Sequence, residues 1–381
     1  MKKTLAVVLS LIMILSCCAA LASCSKKTFE IALITDKGNI DDKSFNQGAW
    51  EGVVAYAKEK KISHQYYKPA DATDADYLKA IDTAVSAGAK VVVTPGYLFE
   101  PAVFEAQTKY PDVKFILLDG EPHNADYSQV KTESNVAAVK YAEEESGYLA
   151  GYAAVKEGFR KLGFMGGMAV PAVQAFGYGF LQGIEAASKE LNLEDGSVSV
   201  QYHYTGDFAE SAKNKATAKA MYNDGVEVIF ACGGSVGKSV MAAAEESTDK
   251  KVIGVDVDQR YDSTTVITSA TKGLAASVQL VLKAIYETDS FATYGGKLTY
   301  FNASNDGIGL PTTVLDGSSN NAFDRFKNFT AEDYSKIYAT VKAGNLGLLR
   351  TITVANESGY ATEAELVSGL NLAKVAPMVI Q

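Results

Sequence analysis

The stretch Asp36 to Trp50, DKGNIDDKSFNQGAW, follows the apolar run FEIALIT and places acids, amides and a phenylalanine where a strand should turn into a helix. Similar residue types end the other apolar, β-rich runs. Gly96 and Tyr97 follow KVVVTP, Asp119 closes KFILLD, and Gly166-Gly167 closes KLGFMGG. Gly206 to Phe208 follow SVQYHYT, Gly233-Gly234 follow VEVIFAC, Asp256 closes KVIGVD, and Lys272 stands just past TTVITSA. Glycines at such positions let the backbone come close to a ligand, while carboxylates accept hydrogen bonds from hydroxyl and N–H groups. This is the chemistry of gripping a polar small molecule.

Signatures of bond-breaking chemistry fail on inspection. GGSVG, Gly233 to Gly237, matches the G-x-S-x-G elbow and lies between a strand pattern and a helix pattern. A hydrolase of that type needs a later histidine, and His64, His123 and His203 all precede Ser235. A backbone turn is the better reading. No G-x-G-x-x-G or G-x-x-x-x-G-K-[ST] stands at a strand exit, which disfavours nucleoside triphosphates. Scattered histidines offer no zinc spacing, and DVDQRYD, Asp256 to Asp262, lacks the glycine and distal glutamate of a calcium loop. No cofactor and no metal are expected.

Strand patterns alternate with helical ones such as GAWEGVVAYAKEK, in which Trp50, Val53, Val54 and Ala57 recur on one face. Repeated this often, the alternation predicts an α/β fold of doubly wound parallel sheets covered on both faces. A helix over about 141–158 interrupts the strands, and the series restarts at Lys161. Two lobes built alike, each with a sheet of four or five strands, are therefore expected. Ligands of such sheets bind beyond the carboxyl ends of the strands. Ser44-x-x-Gln47 has the spacing of a capping box, which starts a helix at Phe45. That ring then either points into the crevice or staples the helix's own apolar face.

The first residues read as a leader. MKK is a basic start, an apolar run follows, and Leu21-Ala22-Ser23-Cys24 resembles a bacterial lipobox whose cysteine carries lipid. Residues 1–23 are expected to be the signal peptide and 24–28 a tether, with Cys24 the lipidation site. Only Cys232 remains in the body, so no disulfide is possible there. The 381 residues carry a formal charge of −9; loss of Lys2 and Lys3 with the leader makes it −11. An acidic body without a long basic run is a poor partner for nucleic acid.

The blocks DKGNIDDKSFNQGAWEG, KFILLDG, KLGFMGGMAVPAVQAFGYGFLQG, YTGDFAESAKNKA, VIFACGG and VIGVDVDQ…VITSATK occur in that order. Together they resemble the basic membrane lipoprotein family, also called purine nucleoside receptor A-like, over about residues 28 to 345. The resemblance implies a type I periplasmic-binding-protein fold, lobes joined by a multi-strand hinge, and a substrate-binding lipoprotein of an ABC importer. Lobe 1 would comprise 29–145 and about 274–303, and lobe 2 would comprise 146–273 and about 304–381. It further implies that Phe45 and Phe208 stack on a purine base and that Asp119 reads the base edge. Asp36, Asp256 and Lys272 would engage the ribose, with Asn46, Gly96 and Gly234 completing the wall. Phe176 competes with Phe208 as the second ring. A membrane permease, a lipid anchor on the extracytoplasmic face of a bacterial membrane and a monomeric state follow from the same resemblance. The tail from Gly347 departs from the family's usual ending and carries no assigned role.

Neutral, flat ligands suit such a site. Each stacked aromatic face is worth about 1–3 kcal/mol, and acid-lined walls repel a nucleotide's phosphate. A free base would leave the ribose-binding carboxylates unpartnered. Two other classes stay open: a sugar or autoinducer receptor on the same fold, and an exported hydrolase acting on nucleosides.

Overall fold

The computed structural model describes residues 28–315, 321–352 and 361–380. Cys24 and the leader lie outside the described residues, as does the middle of the tail. Two sheets organise the chain. The first has the order β11-β5-β4-β3-β1-β2, from β1 (Ile31–Ile34), β2 (His64–Tyr67), β3 (Val91–Pro95), β4 (Lys114–Leu118), β5 (Val136–Tyr141) and β11 (Lys297–Phe301). All its pairings are parallel. The second has the order β12-β10-β9-β8-β6-β7-β13, from β6 (Lys161–Gly166), β7 (Val198–Tyr204), β8 (Val228–Cys232), β9 (Lys251–Asp256), β10 (Val266–Lys272), β12 (Ile308–Gly309) and β13 (Val375–Val379). Here only the short β12 runs antiparallel, against β10. Central strands such as IALI, VVVTP and VIFAC are buried along their whole length, as strands covered on both faces must be.

The sheets have six and seven strands rather than four or five. Part of the difference is β5, VAAVKY, whose two alanines weaken its strand signal and which runs straight into a helical pattern. The tail contributes β13, which extends the second sheet beside β7. The chain passes between the lobes three times: between β5 and α4 (Glu143–Glu157), between β10 and α8 (Leu274–Tyr286), and between β11 and β12. Helix α8 packs on α1 (Phe45–Lys60) of the first lobe, and α4 packs on α5 (Pro171–Glu190) of the second.

The α4–α5 pair is unusually close. A Cβ built at Gly179 would sit 1.9 Å from the Glu144 carbonyl oxygen, and one at Gly147 would sit 2.1 Å from that of Phe176. Gly151 and Gly183 repeat the arrangement one turn on. Small residues four apart on both helices thus allow backbone-to-backbone packing, which sets the position of the α5 start at the cleft. Among the described residues no helix is long and apolar enough to cross a membrane.

Candidate functional site

One cavity opens between the carboxyl ends of the two sheets, with about 720 Å³ of unfilled space including its mouth. Asp36, Phe45, Asn46, Gly96 and Asp119 line it from the first lobe; Phe208, Gly234, Asp256 and Lys272 line it from the second.

The loop after β1 is tied by its own acids. Asp36 Oδ1 accepts from the Gly38 N–H and from Asn46 Nδ2, each at 2.7 Å, while Asn46 Oδ1 accepts the Asp36 N–H at 3.0 Å. Helix α1 starts at Phe45, but Ser44 does not cap it. Asp42 does so instead: its carboxylate takes the Asn46 N–H at 3.0 Å and the Gln47 N–H at 3.1 Å. A charged acceptor outcompetes a hydroxyl for helix N–H groups, which frees Ser44 to donate across the cleft to Asp256 Oδ2 at 2.5 Å. Gln47 accepts the Lys43 N–H, one residue beyond the N-cap N–H that a capping box uses.

Asp119 and Asp256 both hold left-handed backbone, at φ of 57° and 66°. Such strain in non-glycine residues costs energy and marks places where side-chain direction matters. Gly96 has φ of 123°, and a Cβ there would lie 3.4 Å from the Asp36 carboxylate. Gly234 has φ of 53°.

Lys272, the last residue of β10, is buried among acids. Its Nζ lies 2.5 Å from Asp119 Oδ2, 3.0 Å from Glu143 Oε1 and 3.9 Å from Asp256 Oδ1. It also lies 4.9 Å from the centre of the Phe45 ring and 5.3 Å from those of Tyr141 and Phe176. Burial disfavours the ammonium, yet the three carboxylates outweigh it and hold its pKa well above the ordinary lysine value. Glu143 was not picked out from the sequence: it is one of three consecutive glutamates at a helix start, where acids are common for reasons of helix polarity alone.

Burial raises the carboxyls of Asp36 and Asp256 to about 6; Gly38 and Asn46 pull the first down, and Lys272 and Ser44 the second. Glu143 is raised further still by burial, despite Lys272. Asp119 Oδ1 is buried and has no hydrogen-bond partner among the described residues. An orphan acceptor of this kind wants a donor. Phe176 and Phe208 both line the cavity, the former almost fully buried beneath it. Cys232 lies in the wall, its thiol pKa pushed far up by burial.

Twin parallel-sheet lobes, crossed by the chain at three points and sharing a cavity at their strand ends, define a solute-binding protein of the type I periplasmic-binding fold. Solved structures agree on the fold: a solute-binding protein of an ABC transporter system from Aeropyrum pernix K1 superposes with a TM-score of 0.73 at 21% identity, covering 90% of this chain and 98% of that one. A second, from Conexibacter woesei DSM 14684, gives 0.62 at 22% identity over 85% and 99% of the two chains. The chain belongs to the Bmp family, described as PnrA-like ABC transporter substrate-binding proteins, which it matches over residues 29–346. Among its relatives, the ABC transporter nucleoside-binding protein BmpA of Lactococcus lactis subsp. cremoris is 30% identical over 308 residues, 75% of this chain and 82% of that protein. Basic membrane protein A1 of Borrelia garinii subsp. bavariensis is 28% identical, over 81% and 88% of the two chains.

Proposed function

We propose that the chain is the lipid-anchored, extracytoplasmic receptor of an ABC importer and that it closes on purine nucleosides. The lobes are taken as 29–145 with about 274–303, and 146–273 with about 304–381. Cys24 carries the lipid, the receptor acts as a monomer, and its closed form is what the permease recognises. The observation that carries the ligand reading is a single cavity in which Phe45 and Phe208 meet Asp36, Asp119 and Asp256. Phe45 and Phe208 take the flat faces of the base, with Phe176 buried behind them. Asp119 Oδ1 accepts from the base edge, and Asp36 and Asp256 accept from the ribose. Each well-made bond to a charged acceptor is worth about 1.5–3 kcal/mol. The name of the Lactococcus relative supports the same ligand class.

Calorimetry with guanosine, inosine, adenosine, the free bases, the 5′-monophosphates and simple sugars tests this. Nucleosides should bind at least about tenfold more tightly than bases or monophosphates, because both competitors leave buried carboxylates unpaired or repelled. Tighter binding of a sugar would overturn the reading, as would release of free base on incubation. Metabolic labelling with a fatty acid, lost in Cys24→Ala, tests the anchor.

A further inference from the structure

Several polar contacts cross the cleft without touching the cavity, all from the loop ahead of α1. Gln259 Nε2 donates to the Lys43 carbonyl oxygen at 2.7 Å. Lys43 Nζ lies 3.2 Å from Asp262 Oδ1, and Lys238 Nζ donates to the Asp41 carbonyl oxygen at 3.0 Å. Neither Lys43 nor Gln259 lines the cavity.

Gln259 is built for this contact. It is buried, its N–H donates to Ser269 Oγ at 3.1 Å, and its Oε1 accepts the Val255 N–H at 3.0 Å. Its amide is thus oriented entirely by its own lobe, with the NH₂ left to reach across. The acceptor on the other lobe is equally specific. Lys43 holds a left-handed backbone at φ of 61°, a conformation unfavourable for a non-glycine residue, and in that conformation its carbonyl accepts from Gln259. Ser44, the next residue, makes the bond to Asp256 described above.

From this geometry we infer that Gln259 and the Lys43 carbonyl form a latch that favours the closed state through protein contacts alone, so that Gln259 governs ligand retention without meeting the ligand. The inference rests on the closing-lobe reading above. A ligand that binds the closed form has an apparent affinity scaled by the closed fraction, so losing the latch weakens binding by the same factor. The latch must open before ligand leaves, and it forms after ligand enters. Its loss therefore falls on the dissociation rate.

The test uses Gln259→Met, which nearly fills the same space but cannot donate. Stopped-flow with inosine should show dissociation about three- to tenfold faster, the factor expected for one neutral hydrogen bond, with association within about twofold of wild type. Spin labels at exposed Lys79 and Lys213 should show a smaller fraction of short inter-lobe distances in the ligand-free variant. An unchanged dissociation rate overturns the latch. The substitution also removes the partner of the Val255 N–H, so thermal melting must show the variant folded. Should it not fold, Lys43→Gly decides: it keeps the carbonyl, relieves the backbone and removes the Asp262 ion pair. Its dissociation should be no faster than wild type, and faster release overturns the proposal. If wild-type protein binds no purine nucleoside, the functional reading fails. The ligand-free distances still judge the latch, and an unchanged short-distance fraction in Gln259→Met sinks it.

Discussion

Lys272 Nζ stands 2.5 Å from Asp119 Oδ2, joining the last residue of β10 in one lobe to the exit of β4 in the other. The bond lies at the floor of the cleft, beside the first crossing of the chain, where Glu143 adds a second carboxylate at 3.0 Å. A single buried cation thus faces three carboxylates in a low-dielectric setting. Removing one partner of such a cluster is far more costly than its net worth, because the others remain buried and unpaired.

Lys272→Met is accordingly expected to lower unfolding free energy by about 3–5 kcal/mol at neutral pH. Urea melts check this. Much of the loss should return at acid pH, as the stranded carboxyls take up protons. A lysine that only filled space would leave a deficit independent of pH.

Phe45→Ala and Asp256→Ala should each weaken guanosine or inosine binding by at least about tenfold, with melting close to wild type for Phe45→Ala. Unchanged calorimetric affinity in either variant removes that residue from the site. Asp119→Asn turns one acceptor into a donor, so the ranking of guanosine, inosine and adenosine should change. Identical rankings would end its role in reading the base.

The raised carboxyls make opposite demands on stability and binding. Asp36 and Asp256 titrate at about 6 in the folded protein against an ordinary value of 3.8. The folded state therefore binds more protons than the unfolded one between these values. Their contribution to stability is full below about pH 4 and is lost as pH rises through about 6. Ribose hydroxyls need the ionised forms as acceptors. Affinity should then fall at least about tenfold between about pH 7.5 and about pH 5, with proton release on binding near pH 6. Calorimetry in buffers of different ionisation heat measures both, and a flat affinity profile rules out these carboxylates as acceptors.

Gly179→Ala places a methyl group 1.9 Å from the Glu144 carbonyl oxygen, in rigid helix backbone. A cost of at least about 1–3 kcal/mol is expected, together with weaker nucleoside binding, since α5 carries Pro171, Val173 and Phe176 along the cavity wall. Thermal melts and titration check this. Undiminished stability would mean that the two helices can separate freely.

The alternation of strand and helix patterns, the restart at Lys161 and the residues at the strand exits were all legible along the chain, because side-chain period and turn chemistry are local. Asp36, Gly96, Asp119, Phe208, Gly234, Asp256 and Lys272 could be placed at strand exits for the same reason, whereas only the family resemblance implied their binding roles and those of Phe45 and Asn46. Strand β5 escaped because alanine suits helix as well as strand, and β13 because the tail carries no family pattern. The spacing of Gly147 with Gly151 and of Gly179 with Gly183 was in plain view, yet its meaning depended on the two helices facing each other.

Pairing across the cleft is what tertiary structure alone decided. Ser44 looked like a cap and proved to be a donor to Asp256, since Asp42 satisfied the helix N–H groups first. Lys272 meets Asp119 and Glu143, carried by two other elements of the chain. Local sequence specifies which groups stand at the end of each strand. Which of them meet depends on how two separately wound sheets are set against each other, and on hydrogen bonds formed between residues more than a hundred positions apart.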